Sequence, residues 1–368
     1  MKLLFKKSNI LNGLQIVSKA VPAHTTMPIL QCILIEAKDH DIKLTANDMD
    51  LGIETSIEGE ILEEGMIALE SKKFLEIIRK MPDGEISIDT DDKLNTFIKC
   101  GKSLFNIVGM SGDEFSYLPE VEKNNDILIS QFTLKEVIRQ TIFSISENDA
   151  NKIMGGELFE INGDRMKIVS LDGHRISIRN TDLRNSYDPV KVIVPGKTLN
   201  EINKILSGDA DKDVMISFSE NHIIFEFDNT VVVSRLIEGK YFNVDQMISL
   251  DYETKVTVNK REFLDCIDRS TILVKEGEKK PIIVDIKDES LELRINSTLG
   301  SMNETIDIKK EGQDMMIGFN PKFMIDALKA IDEEYIDIYM VNSKAPCIIR
   351  DDENTYLYLI LPVNFVQP

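Results

Sequence analysis

The sequence predicts an α+β protein of three similar domains, each with two helices and antiparallel sheets. Three observations support this prediction. Two kinds of helix-forming segment each occur three times along the chain, at almost the same spacing. Stretches rich in β-branched residues lie between them. The chain of 368 residues also holds three repeats of about 125 residues. A repeat of that size is too large for a solenoid turn and is typical of a whole domain.

The recurring helices have equivalent apolar residues. In the first set, Ile10, Val137 and Phe263 take the same place, at spacings of 127 and 126 residues. In the second set the spacing is 125 residues at both steps, and Ser, Pro-Gly or Asn-Pro signals open the helix. The equivalent residues of the second set are Phe74, Leu199 and Met324. The six predicted helices span residues 6–19, 70–80, 133–146, 196–206, 259–275 and 320–330.

Alternating apolar stretches between the helices predict strands. Three of these stretches are followed by turn-forming residues, and each of the three should pair with the next strand as a hairpin. These stretches are 33–37 before the turn 39–41, 158–161 before the turn 162–164, and 282–286 before the turn 287–290. Polar stretches near 120–125 and 249–253 mark the domain boundaries. Because neither stretch is rich in Pro, Gly and Ser, we expect tight junctions rather than flexible linkers. The predicted domains are 1–122, 123–251 and 252–368.

The charge is unevenly distributed along the chain. The net charge of −20 alone argues against a protein that coats itself onto nucleic acid or an anionic membrane. The six predicted helices nevertheless hold 17 Lys and Arg against 8 Asp and Glu, so they carry +9 and the remainder carries −29. Two explanations of this positive charge are equally good. The lysines can simply lie on solvated helix faces, or the helices can form a positive surface that meets the phosphate backbone without reading bases.

Several classes of protein are excluded or disfavoured. The N-terminus lacks the apolar core of a signal peptide, and the longest apolar runs have only strand length. The four cysteines lie far apart without a CxxC motif, which fits buried thiols in a reducing cytoplasm. Nucleotide-binding glycine loops and the common hydrolase motifs are absent. The sequence has no Trp, so base-stacking platforms are disfavoured.

Two weak signals for chemistry remain. Asp172 and His174 could form an acid–base pair of a hydrolase, although residues this close on a turn rarely point together. A second run matches calcium-loop positions 1, 3, 5 and 12, but Val214 stands where that loop needs glycine, and 214–219 is predicted to be a strand. The acidic residues of this run are Asp209, Asp211, Asp213 and Glu220. A turn with solvated acids is the simpler interpretation.

Ordered motifs along the whole chain resemble the family of the bacterial DNA polymerase III beta subunit, the DNA sliding clamps. The most specific are Asp-Gly-His-Arg at 172–175 and the aliphatic-Pro element at 359–363. The other matching segments are 27–30, 45–51, 113–115 with 118–119, 156 with 158–160, 192–195, 234–239 and 319–322. The sequence departs from the family at Phe242, where Pro is common, at Asn364, and at His24.

The resemblance implies a DNA clamp fold of three domains and a head-to-tail homodimeric ring with helices lining the hole. It implies a protein without its own catalytic site that encircles double-stranded DNA independently of sequence. Such a clamp tethers the replicative polymerase, the clamp loader and repair proteins through short linear peptides. It implies no cofactor, no metal and no membrane, and a cytoplasmic location. A clamp paralogue with a non-replicative partner remains an alternative.

The resemblance also assigns site residues by position. DNA contacts are expected at His24, Lys72, Lys73, Asn148, Lys197 and Lys275. The dimer interface is expected to join Lys102, Phe105 and Ile107 of the first domain to Ile272, Leu273 and Glu304 of the third. The pocket for partner peptides is expected to be lined by Met154, Leu171, Gly173, His174, Arg175, Ile176, Leu236, Phe242, Met247, Phe323, Pro346, Leu359, Ile360, Leu361, Pro362 and Val363. An apolar groove that contains methionine suits short peptides with apolar anchors.

Overall fold

The computed structural model describes residues 1–119, 124–146, 151–274 and 280–365. Its helices are α1 (Lys7–Val17), α2 (Ser71–Lys80), α3 (Gln131–Arg139), α4 (Gly196–Ile205), α5 (Lys260–Thr271) and α6 (Pro321–Ala330). All six predicted helices are therefore confirmed, but the third and the fifth are shorter than expected. After Arg139 the backbone tightens, since the Thr141 amide bonds the Ile138 carbonyl, and 142–144 form one 3₁₀ turn.

The strands of the first half are β1 (Lys2–Lys6), β2 (Cys32–Lys38), β3 (Asp41–Asn47), β4 (Leu51–Ser56), β5 (Glu60–Glu63), β6 (Gly65–Glu70), β7 (Glu85–Thr90), β8 (Asn95–Cys100), β9 (Ser103–Val108), β10 (Asn124–Ser130), β11 (Gly156–Leu171) and β12 (Arg175–Pro195). Those of the second half are β13 (Asp213–Phe218), β14 (His222–Phe227), β15 (Thr230–Arg235), β16 (Thr254–Asn259), β17 (Ile282–Lys287), β18 (Ser290–Ser297), β19 (Gly300–Gly312), β20 (Met315–Phe319), β21 (Tyr335–Met340), β22 (Cys347–Arg350) and β23 (Tyr356–Ile360). The described pairs are all antiparallel, as the α+β prediction requires.

The chain forms two compact units, residues 1–134 with 201–236 and residues 135–200 with 237–368. The first unit holds a five-stranded sheet of order β5-β1-β7-β8-β9 and an eight-stranded sheet of order β10-β13-β14-β15-β4-β3-β2-β6. The second holds a ten-stranded sheet of order β11-β12-β23-β22-β21-β16-β19-β18-β17-β20. Two of these sheets therefore join strands that are distant in sequence.

Those two long-range joins repeat the same register. In the first unit β4 pairs with β15, and Leu51 lies opposite Ser234. In the second unit β12 pairs with β23, and Ile176 lies opposite Leu359. Ile176 lies 125 residues after Leu51, and Leu359 lies 125 residues after Ser234. The equivalent residues of α2, α4 and α6 have the same spacing. The internal repeat thus extends from helix positions to strand register.

The core is built on the equivalent helix residues. Phe74, Leu199 and Met324 are each fully buried. The residues of the other set are also buried, namely Ile10, Val137 and Phe263. Equal burial at equal spacing shows that equivalent helices of the repeats bury equivalent faces.

Two of the three predicted hairpin turns are confirmed. β2 and β3 pair across a turn in which Asp39 and His40 have positive φ, and β17 and β18 pair across a turn with Asp288 at positive φ. The turn predicted at 162–164 is wrong. β11 continues through it to Leu171, and the left-handed Gly163 (φ 63°) lies at an irregularity in the β11–β12 register. A bulge absorbs the glycine there, so the strand continues.

The observed capping of α2 corrects the prediction that Ser71 opens this helix as its cap. Ser71 is the first residue of α2 rather than its cap, because the Glu70 carboxylate accepts hydrogen bonds from the amides of Lys72 and Lys73. At α6 the Asn-Pro signal acts as expected, since the Asn320 side chain accepts from the Lys322 amide and Pro321 opens the helix.

Glu157 on β11 is a buried acid. It is fully inaccessible, and neither carboxylate oxygen has a hydrogen-bond partner among the described residues. Burial raises the pKa of Glu157 well above its usual range, and the nearby Thr141 hydroxyl offsets this only in part. The ionisable neighbour that senses it is the Tyr241 phenol, whose own pKa is raised by burial first and by Glu157 second. Burial therefore favours the protonated form of the Glu157 carboxyl in the folded chain.

Replacing Glu157 by Gln should remove a pH dependence of stability. A folded pKa above the unfolded value of about 4.3 means that the stabilisation is complete below that pH and is lost as the pH rises toward the folded pKa. Over that window the wild type should lose about 1.4 kcal/mol of unfolding free energy per pH unit relative to Glu157→Gln. Urea denaturation from pH 4 to 9 measures this. Glu160→Gln, on the same strand but ion-paired to Lys191, is the control, and parallel curves for wild type and Glu157→Gln would contradict the assignment.

Candidate functional site

The turn between β11 and β12 is organised by Asp172. One oxygen of its carboxylate accepts from the His174 amide (2.9 Å) and the Arg175 amide (3.2 Å), and the other accepts from Arg175 Nε (2.9 Å). No hydrogen bond joins this carboxylate to the His174 imidazole within the described part of the chain. Asp172 therefore orients Arg175 and the turn, and the structure does not assemble the pair that a hydrolase would need.

Arg175 is buried at the centre of this region. Its Nη1 donates to Asp326 of α6 at 2.7 Å, and its Nη2 donates to the Phe143 carbonyl. The guanidinium lies over the Phe323 ring at 4.4 Å from its centroid. Five donors in a fixed fork suit Arg to hold so many partners at once. Arg175 therefore connects the β11–β12 turn to α6 and fixes where the exposed His174 stands.

An apolar wall lies beside this turn. Five residues expected in the peptide pocket pack in one cluster, namely Met154, Leu171, Ile176, Phe242 and Leu359. Near it, Met247 is 50% exposed and Leu361 is 37% exposed. The Leu361 amide donates to the His174 carbonyl at 2.9 Å, so the segment after β23 continues alongside the turn. Large apolar side chains left open beside a buried cluster can receive a ligand's apolar groups.

The remaining expected pocket residues are placed as follows. Gly173 is exposed at the turn with φ 89°, and the half-buried Pro362 and Val363 follow Leu361. Phe323 contacts the core of the C-terminal residues and lies under Arg175. Pro346 is half-buried in the turn before β22.

One expected pocket residue, Ile360, points away from the wall. Ile360 is fully buried and its side chain belongs to the core cluster with Tyr358, because neighbouring residues of a strand point to opposite faces. Leu236 lies in the first unit, where its amide bonds the Asn221 carbonyl.

Sequence reasoning missed Tyr241. This side chain is buried in the same cluster, and its hydroxyl donates to the carbonyls of Val169 (3.2 Å) and Gly156 (3.4 Å). It therefore ties the segment that carries Phe242 and Met247 to β11. An aromatic residue directly before Phe242 was the available signal, since a buried Tyr needs a partner for its hydroxyl.

The expected DNA contacts are solvent-facing where the structure describes them. Lys72 and Lys73 are exposed on the first turn of α2, and Lys73 Nζ lies 3.7 Å from the Glu70 carboxylate. Lys197 is exposed at the start of α4, and His24 is exposed in the segment after α1. Asn148 and Lys275 lie outside the described residues.

The positive charge of the helices is confirmed but is unequal among them. Within their observed bounds the six helices hold 14 Lys and Arg against 7 Asp and Glu. The helix α2 contributes four basic residues and one acid, whereas α5 holds three of each. The helix α2 therefore supplies three of the seven net positive charges, α5 supplies none, and each of the other four helices supplies one.

Four of the six expected interface residues lie on or beside two strand edges, those of β9 and of the early part of β19. β9 is the last strand of the five-stranded sheet, and Lys102 and Phe105 on or beside it are exposed, with Ile107 half-buried. Among the described residues, Gly300–Asp307 of β19 pair with β18 on one side only, because β16 pairs with the later part of β19. Both edges therefore present unpaired backbone groups.

Apolar side chains accompany these edges. After α5, Ile272 is 74% exposed and Leu273 is half-buried. Glu304 on β19 accepts a hydrogen bond from Arg269 Nε at 3.0 Å, and this bond lowers the pKa of the Glu304 carboxyl. Glu304 is thus ionised and already held by a cation of its own chain.

The acidic residues that match a calcium loop do not form such a loop in the fold. Asp209 and Asp211 lie in the turn before β13, and Val214 is buried within that strand, as predicted. Within the residues that the structure describes, no three His, Cys, Asp or Glu side chains gather so that they could hold a metal ion. In the same described ranges, no helix has both the length and the apolarity needed to cross a membrane.

Arg175→Met should destabilise the chain strongly. The change leaves Asp172 and Asp326 without their shared cation, and breaking a buried ion pair in this way costs about 3–5 kcal/mol. Urea denaturation measures the loss. Arg165→Met, at an exposed position on β11, is the control and should change stability by less than about 0.5 kcal/mol. Equal effects of the two substitutions would show that Arg175 does not organise the turn.

Comparisons with known proteins agree along the whole chain. Family models of the DNA polymerase III beta subunit match in order: the N-terminal domain over residues 1–119, the central domain over 128–243 and the C-terminal domain over 245–364. A beta sliding clamp of Staphylococcus epidermidis is 34% identical and one of Staphylococcus aureus 33%, each over 99% of both chains.

Solved structures show the same relationship. A putative DNA polymerase III beta subunit from Eubacterium rectale matches with a TM-score of 0.95 and 65% identity over 99% of both chains. The DNA polymerase sliding clamp of Bacillus subtilis matches with a TM-score of 0.95 and 33% identity over 100% of both chains. With its three clamp domains, the chain belongs to the DNA polymerase III beta subunit family, the bacterial DNA sliding clamps.

Proposed function

We propose that this protein is a DNA sliding clamp: two copies close head to tail around duplex DNA and tether the replicative polymerase for processive synthesis. The observation that supports it most directly is the match of all three clamp domains, in order, over the whole chain. The clamp contributes topology rather than catalysis and has no active site of its own. We retain the domain bounds 1–122, 123–251 and 252–368 as part of this proposal.

Dimer closure is proposed to occur at the two open edges. A monomer that exposes long apolar strand edges would aggregate, so such edges are normally covered. β9 exposes Leu104 and Val108 as well as Phe105, and Val108 is 73% exposed. Ile272 and Leu299 are exposed near the β19 edge.

In the proposed contact, Lys102, Phe105 and Ile107 of one copy meet Ile272, Leu273 and Glu304 of the other. The two patches differ, so the contact is heterologous, and with two copies it closes. Since Glu304 already binds Arg269, Lys102 would join an existing charge cluster rather than form an isolated pair. The apolar residues would then supply most of the affinity.

DNA is proposed to face the helices. Lys72, Lys73, Lys197 and His24 are exposed where described, and the proposed set includes Asn148 and Lys275. Modest positive charge attracts phosphates without selecting a sequence, and a topological tether needs little affinity. The acidic remainder of the chain would repel DNA from the exterior.

Partner proteins are proposed to bind through short peptides at the apolar wall near Arg175. Met247 and Leu361 stand open beside the cluster of Met154, Ile176 and Phe242, as a pocket for apolar anchors requires. Polymerase, clamp loader and repair proteins would compete for this pocket. The four free, buried cysteines fit the reducing cytoplasm, where we place the protein. A paralogue that serves a non-replicative partner would share all these features.

The topological claim predicts different behaviour on circular and linear DNA. After a bacterial clamp loader has placed the protein on a nicked circular plasmid, it should remain bound through gel filtration at high salt. Cutting the plasmid once should release nearly all of it, because a sliding ring leaves at a free end. Labelled protein that co-elutes with DNA measures retention. Equal loss from circular and linear DNA, or equal retention on both, would contradict the proposal.

The pocket assignment predicts a selective loss of partner binding. Leu361→Ala combined with Met247→Ala should weaken binding of a polymerase-derived peptide at least about 100-fold, since two truncated apolar contacts cost about 3 kcal/mol or more. Both side chains are open to solvent, so the fold and the dimer should persist. Fluorescence anisotropy measures the peptide and light scattering the dimer. Leu62→Ala, exposed on β5, is the control, and unchanged peptide binding in the double variant would refute the assignment.

A further inference from the structure

A second groove lies on the same face of the ten-stranded sheet as the apolar wall. Its volume is about 290 Å³, and its apolar lining comes from Ile178 on β12, Tyr356 and Leu357 on β23, and Ile248 and Leu250 of the segment before β16. None of these residues belongs to the expected peptide pocket. We call this cavity the distal groove.

The distal groove is continuous with the peptide pocket. On the β12–β23 ladder, Ile176 pairs with Leu359, and two residues further along Ile178 pairs with Leu357. Residues two apart on a strand point to one face and are about 7 Å apart, so the two pairs form successive rungs of one apolar floor. All four pack in a single cluster, together with Phe242 and Ile248.

Two hydrogen bonds join β12 to residues 354 and 355 at the far end of the distal groove. Asn180 Nδ2 donates to the Asn354 carbonyl at 2.7 Å, and the Asn180 amide donates to the Thr355 carbonyl at 2.8 Å. At its side, Lys167 Nζ lies 2.7 Å from the Asp245 carboxylate, so these two charges neutralise each other. A neutral wall and an apolar floor favour an uncharged apolar side chain over an acidic or basic one.

Leu250 marks the open side of the distal groove. It is 50% exposed, as is Met247 three residues earlier, at the peptide pocket. One segment therefore presents an unburied apolar side chain at each of the two adjacent cavities. A ligand that reaches from one cavity to the other would cover both side chains.

We propose that the distal groove binds a second apolar side chain of the same partner peptide, two or three residues from the anchor in the peptide pocket. This inference rests on the proposed function of that pocket. An extended peptide advances about 3.4 Å per residue, so two or three residues span the distance between the rungs. The distal groove then separates partners by their flanking sequence, with Leu250 as a specificity-determining residue.

The test uses three fluorescent peptides. The first is a short polymerase-derived peptide that carries only the anchor, and the second extends it at either end by a short spacer and Leu. The third carries Ser in place of that Leu. On the wild type, the Leu extension at one end should tighten the dissociation constant about tenfold, because burial of a Leu side chain is worth that or more. The Ser extension should give no gain.

Variants separate this proposal from the one on which it rests. Leu250→Ser should abolish the gain from the Leu extension while leaving the affinity for the short peptide unchanged, and Leu250→Met should keep the gain. A gain in affinity that persists in Leu250→Ser, or no gain from an extension at either end on the wild type, would overturn the role proposed for the distal groove. The peptide pocket would be unaffected by either result. Failure of the short peptide to bind the wild type would overturn the peptide pocket itself, and the distal groove with it.

Discussion

Antiparallel pairing between strands of neighbouring repeats is the constraint on which this structure depends. The ladder between β4 and β15 and the ladder between β12 and β23 have the same register, displaced by 125 residues. Each ladder continues a sheet from one repeat into the next, so a repeat satisfies its edge by pairing with its neighbour. Among the residues that the structure describes, β9 of the first repeat and the early part of β19 of the third repeat keep open edges. A second copy is the natural cover for such edges.

The same pairing builds the candidate peptide site. Ile176 and Leu359 meet only because β12 pairs with β23, and the exposed Leu361 follows directly from that ladder. Arg175 then connects the adjoining turn to α6 through Asp172 and Asp326. Residues that the sequence separates by almost two hundred positions thereby form one apolar wall. If this wall is the peptide pocket that we propose, partner recognition follows from how the repeats join rather than from a dedicated loop.

Helices, repeat and family were predictable from sequence, because helical periodicity and the spacing of apolar residues are local signals. The turn at Gly163 was not, since whether a glycine makes a hairpin or a bulge depends on the partner strand. Glu157 gave no signal either, because its burial follows from packing against residues near Thr141. Ile360 shows the limit for site residues: membership in a motif does not say which face of the strand a side chain occupies.

The central claim is that the open edges close between two copies, and the molar mass in solution tests it most directly. Light scattering at micromolar concentration should give about twice 41.8 kDa for the wild type. Ile272→Asp should give a folded monomer, because this side chain is exposed in the single chain and would be buried by closure. Leu62→Asp, on the opposite edge strand of the β9 sheet, should leave the dimer intact. A monomeric wild type, or an Ile272→Asp variant that remains a dimer, would contradict the account.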